Sequence, residues 1–155
     1  MLMSILIRAA TPDDAAAILE LNRAYDDLRA TADHVADHIR HRAAFEQPFV
    51  AEIDRQVVGL ACLRLIPCLC DPIPSAELTE LIVLPAYRRR GVGTALIRAI
   101  EQQAQAQGAN QLILMTAWRN THAHAFYHRC GYRLYTIMLK RDLSEAPAQN
   151  STPLD

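Results

Sequence analysis

Three arginines and two glycines crowd into Arg88-Arg89-Arg90-Gly91-Val92-Gly93-Thr94, directly after the strand-like, proline-stopped run Leu81-Ile82-Val83-Leu84-Pro85. Glycines where a strand hands over to a helix permit unusual backbone angles and close approach. The first turn of a helix presents N–H groups without intrahelical partners, and the macrodipole adds partial positive charge there. Such a turn binds an anion, most naturally a phosphate or pyrophosphate. A dinucleotide fingerprint lacks its third glycine, because position 96 is Leu. No acid follows in a ribose-binding position, and no Gly-Lys-Ser/Thr follows to make a P-loop.

Further along comes Asn120-x-x-Ala123-x-x-Phe126-Tyr127-x-x-x-Gly131-Tyr132. Read alone, Asn120 is a helix N-cap and Tyr127 a core aromatic on an amphipathic helix. Two carboxylates, Glu77 and Glu80, sit on the strand that feeds the Gly-rich turn. They lie on opposite faces of a regular strand and on the same face of a bulged one. His34, His38 and His41 follow i, i+4, i+7 spacing; without a further ligand they read as a solvated stripe rather than a metal site. His124 and His128 share a helix face near Tyr127, and nothing in their spacing makes either catalytic. Cys62, Cys68, Cys70 and Cys130 lie in apolar stretches, as reduced thiols do, and Cys68-x-Cys70 lacks the second pair a zinc site needs. No metal is expected. Asp13, Asp14, Glu20, Asp26, Asp27, Asp33 and Asp37 make residues 13–38 acidic. They are either ordinary helix-surface charge or a wall that draws a cation.

The two motifs in this order and spacing resemble the GNAT superfamily of N-acetyltransferases. The first looks like its acetyl-CoA signature, the second like its later Asn…Ala…Phe-Tyr…Gly-Tyr segment, and the match covers about 77–132. Arg89 departs from it, standing where the family most often has Gly. The resemblance implies acetyl-CoA as donor, with the pyrophosphate on the backbone of Arg88, Arg89, Arg90, Gly91, Val92, Gly93 and Thr94. It implies a pantetheine arm laid along Leu81, Ile82 and Val83, whose N–H groups also face the developing oxyanion. Asn120 would hydrogen-bond the cofactor, and Tyr127 would contact it and protonate the leaving thiolate. Glu77 stands where histone-type members carry their base and Glu80 nearer the expected bulge; either of them, or ordered water, takes the proton from the amine. The reaction implied is direct acetyl transfer in a ternary complex to a primary amine of a small molecule or peptide, cationic if the acidic stretch lines its path. The alternative is a non-catalytic acyl-CoA-binding or sensing module. A homodimer through the C-terminal strands is compatible with the family.

The elements that must position these residues follow from local pattern. The 155-residue chain is 51% hydrophobic with a net charge of −1, enough for one core and unsuited to nucleic acid or anionic membrane. No apolar run approaches the ~20 residues of a membrane span, and the N-terminus is no signal peptide, so a cytoplasmic protein is expected. Residues 5–10 read as a strand. Thr11-Pro12-Asp13-Asp14 reads as a helix start, with Ala17, Ile18, Leu21 and Tyr25 at helical spacing. A polar helix over 31–44, a hairpin of 49–53 and 57–66, and a strand over 77–84 follow. A helix over 92–107 ends at Gly108; a strand over 111–116, a helix over 120–130 and a strand-like 131–141 with an internal turn or bulge complete a single domain over 1–143. The Pro/Ser/Asn/Gln-rich 144–155 reads as a disordered tail. This order predicts an α/β fold with a mixed, mostly antiparallel sheet, a right-handed parallel βαβ core and helices on both faces.

Gly91→Glu should place bulk and negative charge in the anion cradle. Calorimetric titration with acetyl-CoA is expected to show affinity abolished; intact affinity would move the cradle elsewhere.

Overall fold

The computed structural model describes residues 4–23, 29–42 and 44–144. Tyr25, Asp26, Asp27 and the tail from 145 onward lie outside the described residues. Two compact units divide the chain, one ending at Arg119 and one beginning at Asn120.

The first unit is built on a five-stranded sheet in the order β1 (Leu6–Ala9), β2 (Gln47–Ile53), β3 (Gln56–Ile66), β4 (Ser75–Val83), β5 (Leu112–Leu114). The first three pairings are antiparallel and β4–β5 is parallel. This is the mixed, mostly antiparallel sheet that the element order predicts. The β2–β3 hairpin turns on Asp54 and Arg55, both left-handed at φ +48° and +64°.

A 3₁₀ turn (Pro12–Asp14) leads into α1 (Ala15–Asn22), and α2 (Ala32–His41) follows, with Thr31 Oγ1 accepting from His34 N at its start. These two helices cover one sheet face. Ile18 and Leu21 of α1 form a buried cluster with Val50, Leu60, Cys62 and Ile82, against which Val35 and Ile39 of α2 pack. The opposite face takes α3 (Val92–Ala106), whose Leu96, Ile97, Ile100 and Ala104 repeat at helical spacing and are all buried. Each such Leu or Ile contributes about 1.5–3 kcal/mol by leaving water. The far end of α3 is pinned to β2 by a reciprocal amide pair, Gln47 Nε2 to Gln107 Oε1 at 2.9 Å and Gln107 Nε2 to Gln47 Oε1 at 2.8 Å. Gly108, at φ +87°, then ends the helix, and Ala109 N donates back to Ala104 O.

The second unit contains α4 (Thr121–Arg129), capped by Asn120 Oδ1, which accepts from Ala123 N at 3.1 Å. Gly131, at φ +93°, follows, and Tyr132 N donates to Tyr127 O. Residues 131–141 form no strand, contrary to their apolar alternation. Leu134, Tyr135, Ile137 and Leu139 are all exposed. β propensity measures how well a side chain suits a pleated, half-buried surface and creates no strand without a partner ladder. No helix among the described residues is long and apolar enough to cross a membrane.

The approach of α1 to the sheet is fixed electrostatically. Asp14 is buried, and its carboxylate takes both Arg8 Nη1 and Nη2, at 2.8 and 2.9 Å, while Arg8 Nε reaches Glu52 at 3.0 Å. Thr11 N adds a bond of 2.7 Å. The Arg8 guanidinium, ahead of the Thr11 donors, holds the Asp14 carboxyl at about 2 despite partial burial. That lies below an unfolded aspartate's ~4, so the stabilisation is complete above pH ~4 and drains away as pH falls towards 2. Asp14→Asn should cost roughly 1–2 kcal/mol at pH 7 in urea unfolding, with the gap to wild type closing near pH 2–3. A pH-independent difference would show that the contact is steric rather than ionic.

Candidate functional site

The site is organised by one extra residue in β4. Cys62 of β3 lies opposite Glu80, yet the next residue, Leu63, lies opposite Leu78, which leaves Thr79 as a bulge. Beyond it, Arg64 faces Glu77. Directly opposed residues share a sheet face, and Cys62 and Arg64, two apart, share theirs. The bulge therefore brings Glu77 and Glu80 to one face, the one covered by α1 and α2, where a regular strand would separate them.

Their environments differ. Glu77 is buried and has Arg64 Nη1 at 3.6 Å. Glu80 has no cation within ion-pair distance among the described residues. It opens onto a cleft of about 240 Å³ between α1, α2 and the sheet, walled by Ile18, Leu19, Val35, Ile39 and Leu60. Desolvation in this lining, and secondarily the Glu46 carboxylate, pushes the Glu80 carboxyl above the usual range, although the residue as a whole is exposed. Cys62 shares the cleft, and burial raises its thiol as well.

Sequence reasoning missed the residues that frame Glu80. Glu46, in the turn before β2, sends Oε1 to Thr79 Oγ1, which donates at 2.6 Å, and to Arg64 Nη2 at 3.2 Å. His38 Nε2 lies 3.6 Å from Glu46 Oε2, and His34 and His38 both line the cleft, while His41 pairs with Asp37 outside it. The histidine stripe thus contributes two members to the cleft. Of the acids between 13 and 38, Asp13, Asp14 and Glu20 line a separate, wider groove with Arg8 and Arg55. The cleft's own carboxylates are Glu46 and Glu80. Only the register of three strands brings Glu46, Arg64 and Thr79 together, so no local motif marks them. Among the described residues no group of three His, Cys, Asp or Glu could hold a metal.

The other edge of β4 is bare beside the bulge. β5 pairs with β4 only at Ala76, Glu77 and Leu78. From Thr79 to Val83, which includes Leu81 and Ile82, β4 is bonded to β3 and has no strand on its other side among the described residues. Its free backbone groups can take an extended chain as an added strand. That bare edge leads to the Arg88–Thr94 turn. Gly91, at φ +86°, is the N-cap of α3 and accepts from Ala95 N. Arg89 is left-handed too, at φ +61°, so the arginine that replaces glycine keeps a glycine-like backbone at about 1–2 kcal/mol of strain. Arg88 Nε donates to Val83 O at 3.0 Å, tethering the turn to the end of β4, and the Arg90 guanidinium sits 5.6 Å over the Tyr87 ring. In α3's first turn Val92 is buried while Gly93 and Thr94 are half-buried. In the second unit Tyr127 is half-buried, with ring contacts to Phe126 at 5.3 Å and Tyr132 at 5.9 Å.

A family model described as the acetyltransferase (GNAT) family matches residues 13–132. The chain belongs to the GNAT family. As a GNAT protein it is an N-acetyltransferase by class, and its similarities agree. It is 30% identical over 136 residues to aminoalkylphosphonate N-acetyltransferase of Salmonella typhimurium, covering 82% of this chain and 84% of the relative. It is 28% identical over 143 residues to an N-alpha-acetyltransferase of Sulfurisphaera tokodaii, with 85% and 82% covered. Among solved structures, an aminoglycoside N-acetyltransferase in complex with CoA superimposes at a TM-score of 0.77 with 20% identity, covering 91% of this chain and 96% of that one. At that identity the likeness speaks for the fold.

In this GNAT chain the seating of α3's first turn depends on Gly59 of β3. A Cβ there would lie 3.0 Å from Leu96 Cδ1, 3.1 Å from Ile82 O and 3.2 Å from Val92 Cγ1. Gly59→Ala should therefore lift the start of α3, costing about 1–3 kcal/mol in thermal or urea unfolding and weakening acetyl-CoA binding several-fold. Unchanged binding alongside lost stability would show that the turn tolerates the shift.

Proposed function

We propose that the protein acetylates a primary amine by direct transfer from acetyl-CoA in a ternary complex, with Glu80 as the base. The observation that carries this is the arrangement around the Thr79 bulge, where the β4 edge lies bare past Leu78 and Glu80 faces an apolar-walled cleft. An extended pantetheine fits the edge 79–83 and a diphosphate fits the N-terminus of α3, so the chain's own backbone suits this donor. The structural neighbour of this fold is in complex with CoA, which supports a donor of that type.

The acceptor arrives as an ammonium ion. Glu80, whose proton affinity is raised by the cleft, takes one proton and leaves a neutral nitrogen. That nitrogen bonds to the acetyl carbonyl carbon, and N–H groups of Leu81–Val83 stabilise the oxyanion, a term worth about 3–4 kcal/mol per donor elsewhere. The carbon–sulfur bond breaks as the tetrahedral species collapses. The coenzyme A thiolate takes a proton from Tyr127. The second proton lost by the nitrogen passes through water to restore the phenol, so the one proton released overall is that held by Glu80. Tyr127 is assigned its role through the Phe126-Tyr127…Gly131-Tyr132 motif. Glu77, engaged by Arg64, is assigned to structure rather than proton transfer. Asn120 is assigned to the cofactor in addition to its cap. The family match runs from residue 13 to 132 without a break, spanning both compact units, which supports one working domain.

The acceptor is a small or terminal primary amine with an apolar neighbour that rests on Ile18, Leu19 and Leu60. Carboxylates at 46 and 80 favour a cation there. The aminoalkylphosphonate and N-alpha relatives make alkylamines and peptide N-termini the first acceptors to screen.

Coenzyme A release across an amine and peptide panel tests the reading. Turnover is expected with at least one acceptor; binding of acetyl-CoA with no turnover on any would favour a sensing module. With an active acceptor, Glu80→Gln and Tyr127→Phe should each lower kcat by about 10²-fold or more with acetyl-CoA affinity within a few-fold of wild type. Either variant turning over at the wild-type rate removes that residue from its role.

A further inference from the structure

We propose that Glu46 is a positioning residue for the reaction: Thr79 and Arg64 clamp its carboxylate so that a fixed negative charge faces the cleft into which Glu80 opens. The inference rests on Glu80 being the base and extends it to a residue outside the two sequence motifs.

Three elements hold Glu46. Thr79 Oγ1 donates to Oε1 at 2.6 Å from β4, and Arg64 Nη2 reaches the same oxygen at 3.2 Å from β3. His38 Nε2 approaches Oε2 at 3.6 Å from α2. The His38 nitrogen is buried and makes no hydrogen bond among the described residues. Glu46 keeps only 20% of its side-chain surface in water, so its charge is poorly screened. Arg64 does not cancel the charge outright, because the same guanidinium also serves Glu77. Two carboxylates thus share one cation, and Glu80 makes a third on the same sheet face.

The remaining polar groups around the cleft are few. α1 offers Asn22, α2 offers His34 and His38, and β3 offers Cys62, its thiol held protonated by burial. None is a fixed cation that offsets Glu46 at Glu80. A fixed anion beside a second carboxyl disfavours ionisation of that carboxyl. The result suits a base that must draw a proton from an ammonium ion. It explains the position of the clamp as well. Thr79 is the bulged residue, so the distortion that brings Glu77 and Arg64 onto the face of Glu80 also supplies the hydroxyl that holds Glu46.

The test is a carboxyl-¹³C titration of glutamate-labelled protein, with the Glu80 resonance assigned by its loss in Glu80→Gln. Glu46→Gln should lower the Glu80 midpoint by roughly half a pH unit or more. Thr79→Val should lower it by less, by freeing Glu46 to swing towards water, and Thr79→Ser should restore it. The amide spectrum of each variant reports folding, and Thr79→Val serves if Glu46→Gln is unstable. An unmoved midpoint in a folded Glu46→Gln or Thr79→Val protein overturns the proposal. In turnover, the acid limb of kcat/KM should move to lower pH with the midpoint. A moved midpoint with an unmoved limb upholds the clamp and removes Glu80 as the base.

Discussion

One surplus residue in β4 governs the arrangement described above. A strand with regular register would point Glu77 and Glu80 to opposite faces. Thr79 breaks that pattern and moves Glu77 onto the face of Glu80, where Arg64 can engage it. Beside the bulge the pairing with the three-residue β5 ends at Leu78, and the rest of that edge has no strand against it among the described residues. A bulge costs ladder hydrogen bonds and local twist. Here that cost is offset by the bond from Thr79 to Glu46 and by close packing on both sides of the sheet, with Leu60 and Cys62 under α1 and Gly59 under α3.

The two helical layers then have distinct tasks. α3 brings the partial positive charge of its first turn to the end of β4, and its seating relies on the missing side chain at Gly59. α1 and α2 bring apolar walls and two histidines over the acidic face. The bidentate Arg8–Asp14 contact anchors the first of these helices to β1, so the cleft's geometry depends on an ion pair remote from Glu80. In the proposed reaction the donor and acceptor sides would be carried by opposite faces of one sheet, with β4 common to both.

The legible parts of the sequence were the local ones. Pro85, Gly91 and the spacing of Leu96, Ile97 and Ile100 announce a stop, a left-handed cap and an amphipathic helix within about 15 residues, and all three are present. Asn120 as a cap and Gly108 as a terminator were legible for the same reason. What depends on register was hidden. That Glu77 and Glu80 share a face follows only from the register in which Cys62 faces Glu80 while Leu63 faces Leu78. Glu46 and Arg64 lie outside both motifs, and no local pattern marks either of them. The alternation in 131–141 misled because an apolar pattern describes a surface that suits a strand, whereas the strand itself needs a neighbour.

The bare stretch of β4 has a consequence beyond the proposed reaction. Unpaired strand edges are templates on which other extended chains can add, and proteins commonly blunt them with charge, proline or cover. The stretch Thr79–Val83 carries apolar Leu81, Ile82 and Val83 and no lysine or proline. Whatever extended molecule settles there satisfies hydrogen bonds the fold leaves open and also denies the edge to a second polypeptide. Occupancy and colloidal behaviour are thus linked through the same row of amides: a ligand that binds only the folded state stabilises it by mass action, and in this chain it also covers a bare edge of the sheet whose one charge is Glu80.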